Sequence, residues 1–156
     1  MGLYQKLREE PIANLDLRDL ITVAPTGTVR AAVALMQEGR VGCVAVVDPE
    51  GRPIGAFTER LLMKLVLDNP SAMDEPLSDH MVSPWTTVTR SDTIARLIDL
   101  MESEKLRFVC VVDDQGRAAA LVGQKGVVAY LADQFPREVK GQDFGTKMHM
   151  DQREGA

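Results

Sequence analysis

The feature that most constrains this chain is a duplication. Shifting the sequence by 65 residues, with no gap, lays residues 21–66 onto residues 86–131. Eleven of the 46 aligned positions are identical: Thr22/Thr87, Val23/Val88, Thr28/Thr93, Leu35/Leu100, Met36/Met101, Val44/Val109, Val46/Val111, Val47/Val112, Asp48/Asp113, Gly51/Gly116 and Arg52/Arg117. Pro11 and Pro76, upstream, keep the same offset. A chain that repeats at constant register builds one supersecondary unit twice and buries a continuous core between the copies.

Each unit reads alike. A short extended Thr-Val stretch leads to a helix start at Thr26 to Thr28, or Ser91 to Thr93, residue types that accept from orphan helix amides. Val29, Ala32, Val33 and Met36 then fall at helical spacing, matched by Ile94, Leu97, Ile98 and Met101. A continuous apolar run follows, Val44 to Val47 or Phe108 to Val112, which suits a strand buried on both faces. Asp48 to Gly51 and Asp113 to Gly116 read as turns. A second strand (Ile54 to Phe57; Ala119 to Val122) and a final helix (Glu59 to Leu67; Lys125 to Gln134) complete the unit. The expected fold class is α/β: β-α-β-β-α twice, forming a pseudo-two-fold pair with the sheets packed together. Residues 1–11 are an N-terminal segment, 12–67 the first repeat, 68–84 a linker, 85–135 the second repeat and 136–156 a polar tail.

Composition excludes several functions. With 18 Lys and Arg against 23 acidic residues the net charge is −5, leaving no basic surplus for duplex nucleic acid. Cys43 and Cys110, each inside an apolar run, read as buried reduced thiols, since a disulfide framework or zinc site needs more ligands at closer spacing. No apolar run approaches the ~20 residues of a membrane span, and the N-terminus lacks a signal-peptide pattern, so the expected location is cytoplasmic. His80 and His149 stand alone, and no metal site is expected. Ser78-Asp79-His80 places three suitable types side by side, but adjacency is not triad geometry. No catalytic residues are assigned, and the chain is not expected to be an enzyme.

The Thr-Val opener, the helix ending in Leu-Met, the Val-Val-Asp followed by Gly, and the Gly-Ala-Phe-Thr-Glu-Arg segment at 55–60 together resemble the tandem CBS-domain family, the Bateman module. The resemblance covers roughly residues 12–135, and the YLADQFPREV stretch is similar to small stand-alone bacterial members. It implies a regulatory module with two related clefts between the repeats that bind adenosine-containing ligands: AMP, ADP, ATP or S-adenosylmethionine. It implies no required cofactor, an unidentified regulated protein, and a homodimer meeting through helical faces, for which Met36, Met63 and Met101 are suited.

In the more favourable cleft the resemblance assigns Phe57, Thr58 and Arg60 from the first repeat, with Thr87, Val88, Arg107, Phe108 and Val109 from the second. The other cleft takes Thr22, Val23, Cys43 and Val44 with Val122 and Gly123. In the family a Gly-x-x-Thr-x-x-Asp segment holds phosphate on a hydroxyl at a helix start and ribose on the Asp. Here the Asp positions are Leu61 and Gly126, and Gly123 replaces the second hydroxyl. Losing a bidentate carboxylate removes roughly 1.5–3 kcal/mol of charge-assisted hydrogen bonding. Thr58-Glu59-Arg60 is therefore either a phosphate grip or a plain helix cap with a solvated face. Arg107 and Phe108 either cover a ligand or are a surface Arg and a core aromatic. Trp85 is either core or lid. The alternative function is a degenerate pair that binds no nucleotide and serves as a dimerisation or partner-docking module.

Overall fold

A computed structural model of the chain describes residues 2–134. Helix α1 (Leu3–Glu9) precedes the first unit, which runs β1 (Thr22–Val23), α2 (Val29–Gly39), β2 (Cys43–Val47), β3 (Pro53–Thr58) and α3 (Glu59–Asp68). The second unit runs β4 (Thr87–Thr89), α4 (Ile94–Ser103), β5 (Phe108–Val112), β6 (Ala118–Gly123) and α5 (Gln124–Gln134). The expected β-α-β-β-α unit is present twice. The tail from 136 onward, with His149, lies outside the described residues.

Each unit forms a three-stranded sheet, ordered β1-β2-β3 and β4-β5-β6. The opener strand is parallel to its neighbour and the hairpin antiparallel. The register repeats with the 65-residue offset. Thr22 pairs with Ala45 as Thr87 pairs with Cys110, and Cys43 pairs with Thr58 as Phe108 pairs with Gly123. Even the irregularity between Val46 and Val47 recurs between Val111 and Val112.

Local chemistry explains this sameness. Thr28 Oγ1 caps α2 by accepting from Ala31 N, and Thr93 Oγ1 caps α4 by accepting from Arg96 N, both at 3.1 Å. Asp48 Oδ1 accepts from the amides of Glu50 and Arg52, and Asp113 Oδ1 from those of Gln115 and Arg117. Gly51 and Gly116 close the hairpins at φ of 85° and 77°, where a side chain would be strained. The turn-side amide of Arg117 and its side chain hold the Asp113 carboxyl below the ordinary range.

Alternation along the strands sorts side chains into three layers. Val44, Val46 and Phe57 pack with Val29, Ala32, Met36 and Leu77 beneath the first pair of helices. Val88, Val109, Val111 and Val122 pack with Ile94, Leu97, Met101 and Val127 beneath the second. Between the sheets lies a seam of Cys43, Ala45, Ala56, Trp85, Cys110 and Leu121, flanked by Leu20, Phe108 and Ala118. Ala45 and Ala56 keep this layer thin. The backbone also crosses it, as Ala118 N donates to Gly51 O at 2.8 Å.

The segments before each repeat are exchanged. Residues ahead of β1 serve the second unit: Ile12 N donates to Asp92 O, Ala13 N to Arg90 O, and Ile94 N to Glu10 O. The stretch between the repeats serves the first by the same bonds, Leu77 N to Gly27 O, Ser78 N to Pro25 O and Val29 N to Glu75 O. Ile12 and Leu77 are fully buried in the two helix-side cores. The shared offset of Pro11 and Pro76 marks this equivalence, as they bridge Thr93 and Thr28. The PLSDHM stretch forms a single 3-10 turn, Leu77–Asp79. Two methionines assigned to an outer face are turned inward: Met36 and Met101 are 5% and 6% exposed, because both complete the apolar stripe over their own sheets.

Candidate functional site

Strand parity divides the expected site residues into two groups. Thr22, Cys43 and Thr58 of the first repeat, and Thr87, Phe108 and Gly123 of the second, lie on the seam face, in register with Ala45 or Cys110 or two residues from them. Val44 and Phe57, and Val88, Val109 and Val122, point the other way into the helix-side cores, and Val23 packs against the first of them. The continuous apolar runs concealed that alternation, because both faces of each sheet are covered.

At the first junction, where β3 passes into α3, Thr58 Oγ1 accepts from Leu61 N at 3.2 Å and caps the helix. Glu59 N donates to Gly42 O at 3.0 Å. Phe108 reaches this junction from the other repeat: a Cβ added to Gly42 would sit 3.1 Å from Phe108 Cζ and 3.2 Å from Glu59 Cδ. The structure thus brings Phe108 to the Thr58–Glu59 helix start. Arg60 is exposed on the first turn of α3.

At the second junction Gln124 N donates to Arg107 O at 3.0 Å, the twin of the Glu59–Gly42 bond. Arg107 thereby has its backbone on the Gly123 side of the seam, with its side chain exposed. Among the described residues no hydrogen bond or ion pair joins Arg107 to Thr58 or Arg60. Gly123 lies under the Phe108 ring, where an added Cβ would find Phe108 carbons at an ordinary 3.4 Å. Trp85 is core: it is buried in the seam, and its Nε1 donates to Phe108 O at 3.2 Å, fixing the backbone that carries the ring.

Neither ribose position carries a carboxylate. Leu61 packs against the core of the first repeat. At Gly126 an added Cβ would stand 3.4 Å from Asp16 O, so the exchanged N-terminal segment covers that spot. Gly42 and Glu59 are the site residues that sequence reasoning undervalued. Gly42 was legible as the one small residue opposite Arg107 in the repeat alignment. The Glu59 carboxylate neighbours the helix start that would receive a phosphate, and it already complements the positive end of α3.

Burial pushes the Cys43 and Cys110 thiols up to about 12, so both are inert at neutral pH. Among the described residues no group of three His, Cys, Asp or Glu side chains could hold a metal ion. His80 Nε2 lies 3.3 Å from Glu75 Oε2 within the segment between the repeats. No helix of the described residues is long and apolar enough to cross a membrane.

This geometry meets independent comparisons. The CBS domain family model matches residues 12–68 and again residues 77–133, and the chain belongs to that family. An uncharacterized protein of Methanopyrus kandleri, MK0525, is 29% identical over 138 residues, covering 86% of this chain and 70% of that protein. An inosine-5'-monophosphate dehydrogenase of Methanocaldococcus jannaschii is 23% identical over 112 residues, which are 72% of this chain but 22% of that enzyme. Among solved structures, the CBS-domain containing protein ATU1752 of Agrobacterium tumefaciens superposes with a TM-score of 0.66 at 28% identity, covering 72% of this chain and 90% of that one. The CBS domain pair of MJ0100, in complex with 5'-methylthioadenosine and S-adenosyl-L-methionine, gives 0.71 at 16% identity over 80% and 97% of the two chains. PAE2072 of Pyrobaculum aerophilum, complexed with AMP, gives 0.68 at 22% over 74% and 88%. The last two likenesses concern the fold.

Proposed function

We propose that the chain is a regulatory module that takes an adenosine-containing small molecule, AMP, ADP, ATP or S-adenosylmethionine, in the seam between its repeats. In this reading it catalyses no reaction, requires no cofactor, and acts as a cytoplasmic homodimer on another protein. The observation that supports it best is the meeting of Phe108 with the Thr58–Glu59 helix start, an aromatic from one repeat over a capped helix end of the other. There the strand backbone can read a purine edge, Phe108 can cover its face, and Thr58 with Arg60 can face phosphate. The MJ0100 pair and PAE2072 share this fold and were solved in complex with S-adenosyl-L-methionine and 5'-methylthioadenosine and with AMP, which supports an adenosine-containing ligand here.

The test is a thermal-shift panel of AMP, ADP, ATP and S-adenosylmethionine. A ligand bound only by the folded state raises the midpoint, by a free energy of about 2.7 kcal/mol at a hundredfold excess over its dissociation constant. No shift with any of them at millimolar concentration rules the reading out. A second reading, a pair that binds no nucleotide and serves dimerisation or docking, is favoured by Leu61 in the core and by the Glu59 carboxylate at the helix start. That reading expects a flat panel together with a dimeric mass.

A further inference from the structure

The seam between the sheets holds one large ring that the duplication does not repeat. Trp85 is 7% exposed there, and its counterpart 65 residues earlier is Leu20, which has no side-chain donor. Trp85 shares its layer with Cys43 and Ala56, the first in register with Thr58 and the second two residues before it. Its Nε1 donates to Phe108 O at 3.2 Å, at the start of β5. An indole is a flat fused bicycle whose edge N–H can only donate. It therefore presents to that strand carbonyl what the amino edge of an adenine would present.

We propose that Trp85 is an internal plug: its indole holds the place of the purine between the sheets, and an adenosine-containing ligand enters only when the indole swings out. The inference rests on the ligand part of the reading above and adds how the cleft is gated. Ala45 and Ala56 keep the layer thin, so an indole and a purine cannot both lie in it at interior packing density. The plug is also placed where it can move. Trp85 belongs to no strand: it falls between the exposed pair Ser83 and Pro84 and the start of β4 at Thr87. Its side chain has a single donor to release, so it can leave without opening a sheet ladder. Such a gate lowers the apparent affinity by the fraction of molecules that stand open. Removing the indole therefore tightens binding, the opposite of what a supporting core residue would do.

Trp85 is the only tryptophan of the chain, so its fluorescence reads the plug directly. With AMP added to the wild-type chain, acrylamide should quench Trp85 more readily and the emission should move to longer wavelength, because the ring has passed from the seam to water. Trp85→Leu, which copies the first repeat, should bind AMP about tenfold or more tightly by calorimetry. Quenching that falls or stays level while calorimetry records wild-type binding overturns the plug and leaves the ligand reading standing. A Trp85→Leu affinity equal to wild type or weaker does the same. AMP bound by Trp85→Leu alone supports the plug. AMP bound by neither protein overturns it, and a flat thermal-shift panel with both proteins overturns the ligand reading as well. Should Trp85→Leu fail to fold, shown by lost helical circular dichroism, the wild-type quenching decides.

Discussion

The junction at Thr58 and the junction at Gly123 share one backbone and differ in nearly every side chain. Both end the last strand of a three-stranded sheet, and both send the first helix amide to the carbonyl before the central strand. Yet the first offers a hydroxyl cap, a carboxylate and an exposed Arg, while the second has Gly123 for the hydroxyl, Gln124 for the carboxylate, an exposed Lys125 for the Arg and Gly126 for Leu61. Register is dictated by apolar alternation, turn chemistry and caps, all of which the duplication preserves. Side chains at the junction contribute little to that register, so one repeat can lose its ligand chemistry and keep its fold.

The largest expected effect tests whether the two cores are independent of the junction chemistry. Phe57→Ala should cost about 3–5 kcal/mol, since the ring is fully buried. Its twin Val122→Ala should cost nearer 2 kcal/mol, because fewer carbons leave. Chemical denaturation reads both, and equal losses would contradict the assigned cores. Ile12→Ala and Leu77→Ala should each cost about 2–5 kcal/mol and match one another closely. A negligible loss for Ile12→Ala would mean that the exchanged N-terminal segment is not part of the second core.

Smaller effects sharpen the contrast at the junctions themselves. Thr58→Ala should cost about 1 kcal/mol through the lost cap. Gly123→Thr should instead be neutral or stabilising by a few tenths of a kcal/mol, because the added Cβ meets Phe108 at ordinary contact distance. Thermal midpoints of the two variants should move in opposite directions or one not at all. The seam thiols add a pH dependence. Their folded values near 12 lie above the ordinary ~8.5 of a free thiol. Their contribution to stability is therefore complete below about pH 8.5 and is lost as pH rises toward 12. Denaturation midpoints of Cys43→Ala with Cys110→Ala should fall less steeply than wild type above pH 9.

Most of the fold was legible because the determinants are local and occur twice: Thr28 and Thr93 at the caps, Gly51 and Gly116 in the turns, Val-Val-Asp in the central strands. The exchange of leading segments was not, since it depends on which repeat Ile12 and Leu77 reach in space, and only the Pro11/Pro76 offset hinted at it. Helix α1 was missed for a similar reason: its seven residues carry no side-chain cap and pack against α4 of the distant second repeat. For the site, the placement of Phe108 was not legible in the sequence: its ring and the Glu59 carboxylate both border Gly42, next to the Thr58 cap. Phe57, Val88 and Val109 were grouped with Thr58 and Phe108 although alternation turns their side chains away.

The most direct test of the central claim, that one scaffold carries one usable cleft, is a calorimetric titration with AMP. Wild type should bind one AMP per chain with a dissociation constant of ~10–100 µM or weaker, reflecting the missing ribose carboxylate. Thr58→Ala with Arg60→Ala should abolish that binding, while Thr58→Ser with Arg60 kept should retain it. Two molecules bound per chain, or undiminished binding in the double variant, would contradict the account.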